Sequence, residues 1–248
     1  MTVVLVHGNP ESDALWDPLV AALGRDDVIR LSPPGFGAPL PDGFTATYLE
    51  YRDWLEAQLE GIDGPVDLVG HDWGGGHVLN VVMHRPELVR SWASDVVGLF
   101  DPEYVWHDLA QVWQTDGEGE QAVDAMLGGT VEDRAAQMAA LGIPIDIATQ
   151  IAAAQGPDMG KAILALYRSA RQPAMAEAGR ALENAQARPG LSLLATDDPY
   201  IGSDAVRRRA AERAGAETAV LEGLGHWWMV QDPARGAAAL SGFWESLG

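Results

Sequence analysis

The chain has no cysteine among its 248 residues, which removes disulfides, thiolate nucleophiles and thiolate zinc sites from consideration. Basic residues are scarce too: 16 Lys and Arg stand against 36 Asp and Glu, a formal charge of −20. That field repels phosphate backbones, so nucleic acid is not an expected partner. The one dense basic run, Arg207-Arg208-Arg209, is short and reads as a solvated helix face. No stretch approaches the ~18 consecutive apolar residues of a membrane span, and Met1 to His7 lacks the basic flank and long apolar run of a secretory signal. A cytoplasmic location with no membrane partner is the expectation. The six histidines lack zinc-ligand spacing, and neither a metal nor another cofactor is expected. Apolar residues are plentiful at 47%, enough for one large domain or a domain with a lid, burying roughly 70 to 75% of the unfolded surface.

Residues 2–7 form a β-branched run that ends at Gly8, and Asp13 to Leu23 then carries apolar residues at helical spacing. The alternation repeats: strands over Val28 to Leu31, Pro65 to Val69 and Leu88 to Ser94, with helices between them. One helix is opened by Thr47 with Glu50, a capping-box pattern running to about Leu59, and another spans Gly74 to His84. Such alternation predicts an α/β fold with a doubly wound, mostly parallel sheet, whose ligands sit beyond the carboxyl ends of the strands. From 101 to 188 strand signals vanish, and Gly128-Gly129, Gly142 with Pro144, Gly156-Pro157 and Pro173 punctuate short helical stretches. The expected organisation is therefore a core of residues 1–100 and 189–248 with a helical cap over 101–188. Strands at Leu191 to Ala195 and Thr218 to Leu221 and helices at Val206 to Ala214 and Pro233 to Leu247 complete the core.

The chemistry centres on Gly70-His71-Asp72-Trp73-Gly74-Gly75, at a strand-to-helix junction. A nucleophile on a sharp, strained turn needs small neighbours two residues before and after it, and Gly70 and Gly74 flank Asp72 in this way. Asp stands where the serine-hydrolase motif G-x-S-x-G has Ser. Three companions give the string weight. His7-Gly8-Asn9-Pro10 follows the first strand, Asp198 follows the strand after the helical segment, and His226 follows the last strand. Nucleophile, acid, histidine is the chain order of the α/β-hydrolase fold. Asp197 and Asp95 are competing positions for the acid. His71 reads as a packed or backbone-bonded side chain.

On these residues the sequence resembles the α/β-hydrolase superfamily, in the aspartate-nucleophile branch that holds epoxide hydrolases and haloalkane dehalogenases. The likeness covers nearly the whole chain outside the helical segment, which takes the place of the family's cap. It departs in lacking a leading hairpin, in a short cap, and in reading Ser32-Pro33-Pro34-Gly35 where an Asp often begins that loop. A carboxylate is ionised at neutral pH and can attack saturated carbon without a base. His226 is then free to activate the water that hydrolyses the alkyl ester, Asp198 orients it, and the Asn9 and Trp73 amides hold the oxyanion.

The resemblance leaves two leaving groups open. Tyr167-Arg168 is similar to the Tyr-Arg pair that carries a ring-opening tyrosine in epoxide hydrolases, with Tyr104 as a candidate partner. Asn9 and Trp73 resemble the halide-binding pair of dehalogenases. Gly70 to Gly75 and Gly225-His226-Trp227 look more like epoxide hydrolases, so epoxide opening is the expected activity and dehalogenation the alternative, with a small apolar organic substrate and water as the expected partners and the chain acting as monomer or homodimer. Trp73, Trp106 and Trp113 are expected to line the pocket. A catalytically silent binding module on the same fold is the alternative of a different class.

Overall fold

The computed structural model describes residues 1–248. Six strands form one wholly parallel sheet: β1 (Thr2–Val6), β2 (Val28–Leu31), β3 (Val66–Gly70), β4 (Ser91–Ser94), β5 (Gly190–Ala195) and β6 (Ala216–Leu221). Their spatial order is β2-β1-β3-β4-β5-β6. The chain runs outward from β1 to β2 and then returns past β1 to β3, so the topological switch lies between β1 and β3, where ligands of open α/β sheets collect.

Helices α1 (Asp17–Leu23), α2 (Tyr48–Glu60) and α3 (Trp73–His84) precede β4. Six more lie between β4 and β5: α4 (Asp108–Gln114), α5 (Glu118–Leu127), α6 (Val131–Ala140), α7 (Ile145–Ala154), α8 (Pro157–Ser169) and α9 (Ala174–Ala178). Helices α10 (Asp204–Arg213), α11 (Trp228–Gln231) and α12 (Pro233–Ser246) close the chain. None is long and apolar enough to cross a membrane.

Strand β1 explains why both faces of the sheet are covered. Successive side chains point to opposite faces, and every position from Val3 to Val6 is fully buried. Val3 and Leu5 pack with Leu19 of α1 and Leu240 and Phe243 of α12. Val4 and Val6 pack with Leu55 of α2 and with Val78 and Val82 of α3. Each such side chain contributes roughly 1.5–3 kcal/mol.

Breakers set most of the boundaries. Gly128 follows α5, Pro144 precedes α7, Pro157 opens α8 and Pro173 precedes α9. Three expectations shift. The first helical stretch divides into a 3₁₀ turn over Asp13–Trp16 and α1, with Pro18 in the opening turn of α1, where its missing N–H costs nothing. The fourth strand starts at Ser91 because Pro86–Leu88 curl into a 3₁₀ turn. Thr47 caps α2 by accepting from the Glu50 N–H at 3.3 Å, but the Glu50 carboxylate takes the Thr45 N–H and hydroxyl, each at 2.5 Å, in place of Thr47. The basic run is also less solvated than its composition implies. Arg207 is buried and donates to the Ala195 carbonyl at 2.9 Å, and Arg209 pairs with the buried Asp101 at 2.6 Å.

Candidate active site

Register brings the loops together. Val6 pairs with Gly70 and Gly70 with Ser94, so β1, β3 and β4 end level, while Ser94 pairs with Ser192 and Ala195 with Leu221, so β5 and β6 end together three residues further along, and the following loops share the carboxyl edge of the sheet. On the β3–α3 turn Asp72 has φ 49° and ψ −128°, a backbone geometry that costs a side-chain-bearing residue about 1–3 kcal/mol. The turn closes only with glycine on either side. A Cβ on Gly74 would lie 2.1 Å from the Val6 carbonyl oxygen, and one on Gly70 would lie 2.4 Å from that of Gly74. The Asp72 N–H is anchored by Asp95 Oδ1 at 3.0 Å.

The Asp72 carboxylate is oriented. Its Oδ2 accepts from the Asn9 backbone N–H at 2.9 Å, while Oδ1 faces His226 Nε2 at 3.9 Å. The Trp73 amide, expected beside that of Asn9, makes no hydrogen bond to the carboxylate in this resting state. His226 Nδ1 donates to Asp198 Oδ2 at 2.8 Å, leaving Nε2 free to accept a proton. Asp198 Oδ1 accepts the Tyr200 N–H at 2.8 Å, which fixes the carboxylate in turn. Among the three carboxylates considered for the acid, Asp198 is the one bonded to His226. Asp197 instead accepts from the Thr196 hydroxyl, and Asp95 lies on the other side of the turn.

Burial pushes the Asp72 carboxyl above its ordinary range, opposed by the imidazoles of His226 and His71. Burial alone would lower His226, but the Asp198 carboxylate and the Asp72 charge together overcome it and raise its proton affinity. Asp198 is held below its usual range because the His226 imidazole overcomes the cost of burial.

Beneath the turn lies a cluster that the sequence did not reveal. His71 places Nδ1 2.5 Å from Asp95 Oδ2 and Nε2 3.1 Å from Glu11 Oε1. With a carboxylate at each ring nitrogen, both nitrogens carry protons and the ring is an imidazolium. Burial would discharge it, but Glu11 and Asp95 hold its pKa well above the usual histidine range. Glu11 also accepts from the Gly8 N–H at 3.1 Å and the Trp227 indole at 2.8 Å, and Asp95 accepts from the Trp228 indole at 2.8 Å. His71 is thus part of an ionic cluster and is not bonded to the backbone. An acidic residue five positions past the buried strand β1, in a loop at the sheet's carboxyl edge, is the available hint for Glu11. Side-chain nitrogen and oxygen atoms of Glu11, His71 and His226 lie within 4.8 Å of one another, with Glu11 already paired to His71 and His226 to Asp198.

Above the turn the helical segment supplies aromatics. Trp73 stacks on Trp106 with centroids 5.7 Å apart, and Tyr167 of α8 lies 5.5 Å from each of them and 4.8 Å from Trp113. The Tyr167 hydroxyl oxygen accepts from the Asn9 side-chain amide at 3.4 Å. Burial, reinforced by the Asp72 charge, raises this phenol well above its ordinary range, so it stays protonated. Tyr104 is buried nearby, but its hydroxyl turns to the Tyr200 carbonyl at 3.3 Å, so the expected pair of tyrosine donors reduces to one free O–H. The aromatic residues of the pocket are therefore placed as expected, with Tyr200 and His107 added to them.

The chain matches a family described as an alpha/beta hydrolase family over residues 3–239. Among curated proteins it is similar to a probable oxidoreductase EphD of Mycobacterium tuberculosis, 32% identical over 128 residues that cover 46% of this chain and 21% of that protein. It is also similar to a haloalkane dehalogenase of Sphingobium indicum, 38% identical over 86 residues, 29% of this chain and 27% of that one. The match thus spans only about a fifth to a quarter of the length of these relatives. A solved structure of a putative ancestral haloalkane dehalogenase superposes with a TM-score of 0.75 at 20% identity, covering 99% of this chain and 91% of that one, a likeness of fold.

Proposed function

The chain belongs to the alpha/beta hydrolase family, and from that premise we propose that it is a hydrolase that opens an epoxide to a diol through an alkyl ester on Asp72. The Asn9 amide holds Oδ2 at 2.9 Å, so Oδ1 is the oxygen left to attack. It forms a bond to one ring carbon as that carbon's bond to the epoxide oxygen breaks, and the alkoxide takes the Tyr167 proton. His226 Nε2 then removes a proton from water, whose oxygen adds to the Asp72 carboxyl carbon. Charge develops on Oδ2 against the Asn9 N–H, a donor of a kind worth about 3–4 kcal/mol in acyl transfer. Collapse cleaves the ester between the carboxyl carbon and the alkyl oxygen, releases the second hydroxyl of the diol with the proton from His226, and leaves one water oxygen in Asp72. Asp72, left as a carboxylic acid, loses its proton to solvent, and Tyr167 regains one from it.

The single observation that carries this reading is the Tyr167 hydroxyl. Its oxygen is occupied by Asn9, so its O–H is directed elsewhere, and it borders the same cavity as Asp72 and His226. A second reading, hydrolysis of a carbon–halogen bond with Asn9 and Trp73 binding halide, draws on the dehalogenase relative. It requires the Asn9 side-chain amide, which the Tyr167 oxygen already engages, so a halide has to displace that bond.

Parallel assays of the purified protein on styrene oxide and 1-bromobutane separate diol formation, halide release and an inert fold. His226→Gln is expected to accumulate the ester, seen as added mass on the intact protein. A single turnover in ¹⁸O-water is expected to label Asp72, and product without label in that side chain overturns the covalent route.

A further inference from the structure

The space in front of Asp72 is divided into two unequal chambers. The larger holds about 150 Å³ and is walled by Trp113, Met126, Met138, Leu141, Ile143 and Ile151. The smaller holds about 20 Å³ and is walled by Val96, Leu99, Tyr104, Trp106 and Ile201. Asp72, His107, Tyr167 and Tyr200 border both, so the attacking carboxylate and the phenol stand on the threshold. His226 borders only the larger one, which is therefore the side from which water reaches the ester.

The volumes translate into chemistry. A cavity of about 150 Å³ accommodates a benzene ring, whereas 20 Å³ is little more than one water, hence one methyl group. The two walls also differ in stiffness. Met126 and Met138 give the large chamber side chains that repack at little cost. The small chamber leans on Trp106, which is pinned between Trp73 at 5.7 Å, Tyr104 at 5.2 Å and Tyr167 at 5.5 Å. Interlocked rings of this kind leave no rotamer by which the chamber could grow.

Resting on the epoxide reading of the same site, we infer that the substrate class is a lopsided epoxide: an aryl or similarly bulky apolar group on one ring carbon, and nothing larger than methyl on the other. The large chamber receives the bulky group, and the small chamber enforces the limit.

The test compares kcat/KM for styrene oxide, trans-1-phenylpropylene oxide and trans-stilbene oxide, which place hydrogen, methyl and phenyl on the second carbon. The first two are expected within about tenfold of each other and stilbene oxide at least ~100-fold lower, since an overfilled rigid pocket discriminates at least as strongly as a missing methylene. Ile201→Ala, with Leu99→Ala as a second variant and circular dichroism to confirm folding, enlarges the small chamber. It is expected to raise the ratio of stilbene oxide to styrene oxide turnover about tenfold or more. Calorimetric binding of the product diols gives the same comparison without turnover, with phenylethanediol expected to bind and hydrobenzoin not. Equal turnover of stilbene oxide and styrene oxide by the natural protein, equal binding of the two diols, or a ratio unmoved in both folded variants overturns the inference. If no epoxide is opened, the proposed function fails, while the diol comparison still decides the division of the cavity.

Discussion

The floor and the roof of the site are built on opposite principles. Below Asp72, Glu11, His71 and Asp95 are fully buried charges, and the hydrogen bonds of His71, Gly8, Trp227, Trp228 and the Asp72 backbone saturate them. Above it, Trp106 and Trp113 are buried with indole N–H groups that have no partner, and the bonds that cross to the loop after β1 are neutral, Asn9 to the Tyr167 hydroxyl and Gln155 to the Pro10 carbonyl at 2.9 Å. Ionic bonds are concentrated in loops tied directly to the ends of strands, which have no cause to move. The helical side of the cavity has one charged residue, Arg134, and it bonds to Gln155 and to backbone carbonyls of its own segment, so this side forms no ion pair across the site. Excluding water from above also strengthens every charge interaction below.

The largest effect expected from this contrast is chemical and belongs to the roof. Tyr167→Phe removes the free phenol of the Tyr104–Tyr167 pair and should lower epoxide turnover by about 10²- to 10⁴-fold, the usual worth of a positioned acid, with little loss of Tm. Halide release from 1-bromobutane, assayed alongside, should not fall, because the variant frees the Asn9 amide. The floor should answer in stability. His71→Leu leaves Glu11 and Asp95 buried without their shared cation and should cost about 3–5 kcal/mol in urea denaturation.

A third expectation concerns pH. The His71 pKa is raised in the fold, so its stabilisation is complete below the ordinary histidine value and disappears as pH climbs through the raised one. Glu11 and Asp95 are lowered by the His71 imidazolium against the opposing push of burial. Their contribution is complete above ordinary carboxylate values and is lost as pH falls through the depressed ones. Calorimetric Tm should therefore form a plateau between the ordinary carboxylate and histidine ranges and decline on both sides. In His71→Leu the alkaline decline attributable to this cluster should vanish. The smallest effect is Trp113→Phe: its indole N–H has no partner to lose, so the change should cost less than about 1.5 kcal/mol by thermal unfolding.

Much of this was legible because it is written in short-range signals. The β-branched runs placed the strands, Gly and Pro placed the breaks among α4 to α9, and Gly70 and Gly74 marked the turn that presents Asp72. Asp198 and His226 followed from their position after β5 and β6. The floor was not legible. Glu11 meets Trp227 across 216 residues of chain, and nothing local to either announces the meeting. His71 is packed, as its position suggests, but its charge is not legible for the same reason: the partners of a buried imidazole depend on what the neighbouring loops bring to it, and here they bring two carboxylates. Tyr104 shows the converse, a residue placed in the right region whose hydroxyl is claimed by the Tyr200 carbonyl.

The 3.4 Å bond between Asn9 and Tyr167 joins the loop after β1 to helix α8. In the proposed epoxide mechanism the proton source and the attacking oxygen therefore belong to different parts of the chain. On that mechanism an electrophile that reached Asp72 with Tyr167 drawn away would meet a carboxylate with no acid to quench the departing alkoxide. Such a safety catch would make reagent selection depend on closure as much as on fit.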